Sequence, residues 1–244
     1  MSRILILIKH YKFNDLTDNC IDSMLKSNLL GADIEVIDST PDNDYRHTYI
    51  NTYHKVDNRV SLIESYNLFF KPIYDLYVYA SNDIIVHKNW LLGIVKSIEN
   101  NDRLGVLAPM YDQVGGGVLE YFPPPNLVPG SEEWGVWLDN NLPEPGTYIK
   151  TKHVDNVVFC FTHKLYEQVG LPDGNFPGAG WGANLDYCYR ARRAGFFVAA
   201  SLGSFIHHAH RGTYGKIDPD YAKKAESQRD EYLRKKYGDP SIVW

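Results

Sequence analysis

Cysteine is scarce in this chain of 244 residues: Cys20, Cys160 and Cys188 lie far apart, with no CxxC spacing. An odd, dispersed set points to reduced thiols in a reducing compartment. Long apolar runs are missing too. Residues 4–8 and the mainly apolar stretch 195–206 are both too short for a membrane span or a signal sequence, so a soluble cytoplasmic protein is expected. Positive charge is not in surplus: the net charge is −5, which argues against broad nucleic-acid affinity, since that rests on phosphate neutralisation. Glycine is absent from the segment KHYKFND after the first apolar run, where a nucleotidyltransferase would carry a glycine- and basic-rich phosphate loop. Acid is locally absent as well. Residues 187–217 contain no Asp or Glu but hold Arg190, Arg192, Arg193, Arg211, Lys216 and three histidines, a local signal for an anionic ligand.

What is present reads as one large globular unit. The apolar share is 44% and the charged share 23%, ordinary for a packed domain. Aromatics reach 14%, led by 18 tyrosines, a residue that supplies stacking faces and hydroxyl donors. Residues 3–8 read as a central strand, apolar throughout because both its faces are covered. Helical spacing follows at 16–26, then a strand at 33–38, a helix at 61–70, a strand at 76–80, a helix at 88–99 and a strand at 104–108. This alternation predicts an α/β, doubly wound, mostly parallel sheet with helices on both faces. Between residues 111 and 147 the pattern gives way to Gly- and Pro-rich sequence that still carries Trp134 and Trp137. This predicts an ordered loop region lining a pocket, and a candidate acceptor platform. Regular structure resumes with a strand at 154–162, helices at 163–169 and 184–194, a short strand at 196–200 and a charged helix at 218–237.

Three groups of residues carry chemistry. Ser81-Asn82-Asp83 places a carboxylate at the exposed end of a buried strand, where open α/β sheets hold ligands and a hard cation finds oxygen donors. The same three residues also suit an ordinary β-turn. Asp38 ends the second strand on the same edge, either as a local cap or as a contact to a nucleotide base or ribose. Gly178-Ala-Gly-Trp-Gly-Ala-Asn-Leu-Asp186 surrounds Trp181 with small residues and opens a helix at Asn184 or Asp186. It reads as a glycine-rich loop with an N-cap, or as a close approach of backbone to ligand with a carboxylate placed as general base. Finally, His207, His208 and His210 end an apolar strand; alternate residues share a face, so His208 and His210 are candidate ligands for a transition-metal ion.

Taken in order, these segments resemble the family 2 glycosyltransferases and related nucleotide-sugar enzymes of the GT-A fold, over roughly residues 3–213. YASNDIIVHKNWL is similar to the family's metal-binding segment. LGVLAPM matches the strand after it, VDNVVFCFTHKLYEQVGLPDGNF the acceptor-side strand and helix, GWGANLDYCYRARRAGF the helix with the acidic motif, and FIHHAHRGT the closing histidine region. The resemblance implies a GT-A-type sheet plus a C-terminal helix. Residues 1–215 would form the transferase domain, 1–110 binding the nucleotide-sugar and 111–215 serving the acceptor, with 216–244 as a helical extension. Tyr11 would stack on the base, Asp38 would contact base or ribose, and Asn82 and Trp181 would line the donor site. Asp83 would hold Mn2+ (or Mg2+) on the diphosphate with His208 or His210, and Arg190 or Arg211 would balance the leaving group.

The chain departs from the family at two points. Ser81 stands where many members have a first metal carboxylate. Asn184 stands where inverting members place the catalytic aspartate, leaving Asp186 as the carboxylate expected to act as base. The wording W-G-x-N-L-D is also similar to the W-G-G-E-N-L segment of polypeptide N-acetylgalactosaminyltransferases, which retain configuration, so the stereochemical outcome stays open. The implied activity is metal-dependent transfer of a sugar from a nucleoside diphosphate, UDP-type foremost, to a hydroxyl of a glycan, protein, lipid-linked sugar or modified nucleobase. The alternatives are a degenerate sugar-nucleotide or glycan-binding domain, and a nucleotidyltransferase on a similar sheet.

Overall fold

The computed structural model describes residues 3–41, 44–112, 126–177, 180–209 and 220–244. The chain opens β1 (Ile4–His10), α1 (Asn14–Leu25), β2 (Asp33–Asp38), β3 (Thr52–Lys55), α2 (Leu62–Leu68), β4 (Leu76–Ser81), β5 (Ile84–Val86), α3 (Trp90–Asn100) and β6 (Leu104–Tyr111). It continues α4 (Glu132–Asn141), β7 (Tyr148–Thr151), β8 (Val158–Thr162), α5 (His163–Val169), α6 (Ala183–Arg193), β9 (Phe197–His208), α7 (Tyr221–Tyr237) and a closing 3-10 turn (Pro240–Val243).

β1 explains its own composition. Ile4, Ile6 and Ile8 pack into a core with Cys20, Ile21 and Met24 of α1 and Trp90, Leu91 and Ile94 of α3. Leu5 and Leu7 face the other way, into a core with Ile63 and Tyr66 of α2, Leu185 and Cys188 of α6 and Leu233 of α7. Alternate side chains feed opposite layers, so every position from Ile4 to Ile8 is apolar. Each such aliphatic side chain, fully withdrawn from water, contributes about 1.5–3 kcal/mol. The helix starts follow local rules: the side chains of Ser61, Ser131 and Thr162 accept the N–H of Glu64, Trp134 and Leu165, respectively.

The sheet runs β3-β2-β1-β4-β8-β6-β9-β5, with β7 also on β9. Its first half is parallel as expected, but β8 lies antiparallel to both β4 and β6, and β5 and β7 lie antiparallel to β9. The sheet is therefore mixed rather than mostly parallel. Two reversals around β8 restore direction, so β6 and β9 point the same way as β1, β2 and β4. The carboxyl ends of all five strands open on one edge, together with the amino end of β8.

Three local differences from the sequence reading have physical causes. The short strand at 196–200 is a 12-residue strand, β9, that resumes after a register shift opposite Pro109/Met110. There Gly203 passes so close to Gly93 of α3 that a Cβ on Gly93 would meet its carbonyl oxygen at 2.6 Å. The loop expected at 111–147 contains α4, whose Trp134 and Leu138 are buried against Met110 and Phe205. Trp134 is thus a core residue, while Trp137 is half-buried. The C-terminal segment is built into the second core: Leu233 and Val243 are fully buried there, and the Arg192 guanidinium donates to the Val243 carbonyl at 3.0 Å.

Asp173 pins α7 from the other side, accepting from Tyr232 and Lys236. Burial works against its charge, but those donors and the Asn175 N–H outweigh it and hold its pKa at about 2. An unfolded carboxyl titrates near 3.9. A folded pKa below the unfolded one gives stability that is complete above about pH 4 and lost as pH falls toward about 2. Hydrogen exchange of α7 is expected to accelerate across that window, and faster than exchange of β1. Uniform protection down to pH 2 would exclude this anchor.

Candidate active site at the carboxyl edge of the sheet

The order of strands brings separate motifs to one place. In register, β1 pairs His10 with Asp38 of β2, and Lys9 with Ser81 of β4. Past Ser81 the chain bends through Asn82-Asp83 into β5, whose Ile84 lies opposite His208 of β9. The Ala209 N–H donates to the Asp83 carbonyl at 2.9 Å, which fixes the bend against β9. As a result the Asp83 carboxylate faces the His208 imidazole, with Oδ1 3.5 Å from Nε2. Both side chains keep slight exposure, 10% and 14%, so neither is sealed in hydrocarbon.

Asp112, at the end of β6, shapes this corner. Its carboxylate contacts His207 Nδ1 and accepts the His208 N–H at 3.2 Å, so His207 is turned toward Asp112 and His208 toward Asp83. The Tyr111 ring meets His208 edge-on at 6.3 Å, and its hydroxyl donates to Asp155 at 2.8 Å. Asn156 next to it donates to the Gly180 carbonyl, 2.9 Å away, beside the half-buried Trp181. A continuous set of contacts thus runs from Asp83 to the Trp181 loop. Tyr111, Asp112, Asp155 and Asn156 did not stand out in sequence, because each lies at a strand end whose neighbours only the pairing order defines.

Tyr11 lies half-buried in the turn after β1, where Lys12 and Phe13 both adopt left-handed backbone angles, φ 55° and 44°. Such conformations cost non-glycine residues roughly 1–3 kcal/mol each and gather at functional edges. The Lys12 N–H is tied to Thr40 Oγ1 at 3.0 Å, and the Lys12 ammonium lies 5.2 Å from the Tyr11 ring centre.

Other expected site residues have structural engagements. Asp38 accepts the N–H groups of Thr40 and Tyr45 and the Lys55 ammonium. Burial opposes its charge, but these donors prevail and hold its pKa below the usual carboxylate range. Its local role is to shape the loop after β2. Asn82 donates to Thr17 Oγ1 at 2.8 Å and is buried.

Asn184 sits in the first turn of α6 rather than at its cap, which is Gly182, and its amide donates to the Val154 carbonyl. Asp186 departs furthest from expectation. It is fully buried and held by Arg190, Lys236 and Tyr237. Sealed from solvent within that network, it is poorly placed to meet an acceptor. Arg190 is likewise committed, donating also to the carbonyls of Val169 and Leu171 at 2.6 and 3.0 Å.

The glycines around Trp181 serve packing. Gly180 and Gly182 have φ of 73° and 96°, and a Cβ there would come within 2.6 Å of Ile63 and 2.4 Å of Arg229. Arg211 and His210 lie outside the described residues.

A divalent cation needs several oxygen or nitrogen donors converging on one point. Among the described residues no group of three or more His, Cys, Asp or Glu side chains is arranged to hold a metal ion. The Asp83–His208 pair nevertheless fits two of its positions. Donors bound at about 2 Å to one ion lie roughly 3 Å apart when adjacent, close to the 3.5 Å seen. Oxygen plus imidazole suits a first-row ion such as Mn2+. Among the described residues no helix is long and apolar enough to cross a membrane.

No protein-family model matches the chain, and no curated protein is similar to it in sequence. Its fold is similar to that of GalNAc-T7, solved with UDP, GalNAc and Mn2+. The TM-score is 0.63 and the identity 14%, over 85% of this chain and 44% of that one. The chain thus spans less than half the length of this neighbour, and at such identity the likeness is one of fold. Among the described residues, nine strands in a mixed sheet with helices on both faces, together with this neighbour, give the chain an α/β fold of GT-A type.

Proposed function

We propose that the chain is a glycosyltransferase that moves a sugar from a nucleoside diphosphate, UDP-type foremost, to an acceptor hydroxyl with the help of Mn2+ or Mg2+. The observation that carries this reading is the Asp83–His208 pair, 3.5 Å apart, at the carboxyl edge of the sheet. In this reading Asp83 and His208 are the residues that would hold the cation beside the donor diphosphate. Bound there, the cation would supply charge that stabilises a departing diphosphate. Asp112 positions the histidine strand by gripping His207 and the His208 N–H. Tyr11 offers an aromatic face beside β1 for the base.

The carboxylate best placed to take the acceptor proton is Asp155, half-buried at the amino end of β8, rather than Asp186. Tyr111 and the Asn156 N–H fix its two oxygens, at 2.8 and 2.6 Å. The fold neighbour's UDP and Mn2+ support the donor and the metal class. The acceptor remains a glycan, protein, lipid-linked sugar or modified base; Trp137 and the Trp181 loop are the surfaces offered to it. The burial of Asp186 favours one second reading, a sugar-nucleotide-binding domain without turnover.

Thermal-shift screening of UDP, GDP, ADP and their sugars, with and without Mn2+, tests the proposal. A stabilisation by one diphosphate that requires the cation is the expected outcome, equivalent to about 2.7 kcal/mol at a hundredfold excess over Kd. No shift with any nucleotide would sink it. Donor hydrolysis in the same samples separates enzyme from binding domain.

A further inference from the structure

We propose that the Lys9 ammonium is a nucleotide-binding group, held ready at the end of β1 for an oxygen of the donor, either a base carbonyl or a phosphate. This rests on the nucleotide-sugar reading above and adds to it a contact inside the fold. Lys9 is 6% exposed, and among the described residues its Nζ has no hydrogen-bond partner. That sets it apart from Lys55, Lys71 and Lys236, which all end on a carboxylate. An unpartnered buried ammonium costs several kcal/mol. A lysine retained at such a cost, when a Met or Leu would pack the same stem, calls for an acceptor that arrives later.

The strand pairing says where that acceptor would lie. Lys9 stands in register between Ile37 of β2 and Ser81 of β4, so its neighbours are the two strand ends that carry Asp38 and Asp83. Asp38 is the carboxylate whose charge reaches Lys9. Its oxygens already accept from Thr40, Tyr45 and Lys55, so it attracts the ammonium without pairing with it. Burial lowers the Lys9 pKa to about 8, with Asp38 pulling the other way. At neutral pH the group is therefore still mostly a cation. A neighbouring buried atom is also unpartnered: His10 Nε2, on the ring whose Nδ1 bonds Thr17 Oγ1 at 2.7 Å. Two consecutive residues, facing opposite sides of the sheet, thus hold unmet hydrogen-bonding capacity among the described residues where β1 ends, just before Tyr11.

The test compares wild type with Lys9→Met and Lys9→Gln. Calorimetry in Mn2+ would use whichever of UDP, GDP and ADP the wild type binds most tightly, with its monophosphate and nucleoside. The ligand-free melting temperature of each protein would be read alongside. The expected result is a loss of at least tenfold in diphosphate affinity for Lys9→Met and a smaller loss for Lys9→Gln, with ligand-free melting unchanged or raised. A loss already seen with the nucleoside places the contact on the base; one that first appears with the monophosphate places it on a phosphate. Equal affinity in all three proteins overturns the proposal while leaving the transferase reading intact. So does a ligand-free fold that fails in both variants, because the ammonium would then be structural. A wild type that binds none of these nucleotides removes both.

Discussion

Asp83→Ala is expected to abolish cation-dependent nucleotide stabilisation and to lower sugar transfer or donor hydrolysis by at least about 100-fold, a loss typical of removing one group aimed at developing charge. The fold should not suffer. The side chain's contact is with His208, across 3.5 Å, and the bend it sits in is held by backbone through the Ala209 N–H and the β5–β9 pairing. Melting within a few degrees of wild type is therefore part of the expectation. Asp155→Asn should behave differently in the same assay, retaining the cation-dependent shift while losing transfer, because in the proposed reading it serves the acceptor and not the cation. Full transfer by Asp83→Ala, or a collapse of its melting temperature, would remove the cation from the mechanism or reduce Asp83 to a structural residue.

Asp186→Ala is expected to produce the largest loss of stability. The carboxylate has no exposure and holds Arg190, Lys236 and Tyr237, joining α6 to α7. Removing it takes a carboxylate from Arg190, which keeps two backbone carbonyls, from Lys236, which keeps Asp173, and from Tyr237, a change that costs about 3 kcal/mol. In a domain of this size that corresponds to a fall in melting temperature of roughly 10 °C. Hydrogen exchange should show α7 loosening first. The experiment also separates the two roles the residue has been given. A variant that melts like wild type yet transfers no sugar would return Asp186 to the chemistry and displace Asp155.

The same contrast shows how position in the chain and position in the fold differ. Asp186 stands in sequence where an acidic motif is expected, but its neighbours in space come from residues 236 and 237, some fifty positions later. Arg190 likewise lies in an acid-free, arginine-rich stretch, yet its guanidinium caps the carbonyls after α5. Charge counted along a sequence cannot distinguish a cation facing a ligand from one spent on a helix end.

By itself the sequence determined the elements whose signal is local. β1 is apolar at each position from Ile4 to Ile8 because two layers cover it, and α1, β2, β4, α3 and α5 follow from periodicity. Asp83 could be nominated as a site candidate because a carboxylate follows a buried strand there. Tertiary structure alone decided which strands are neighbours. The insertion of β8 between β4 and β6, the twelve-residue β9 that carries His208 to Asp83, and the burial of Trp134 of α4 against Met110 and Phe205 depend on contacts between distant residues. Pairing order leaves no periodic trace in a chain, because register is set by which apolar faces must be covered together.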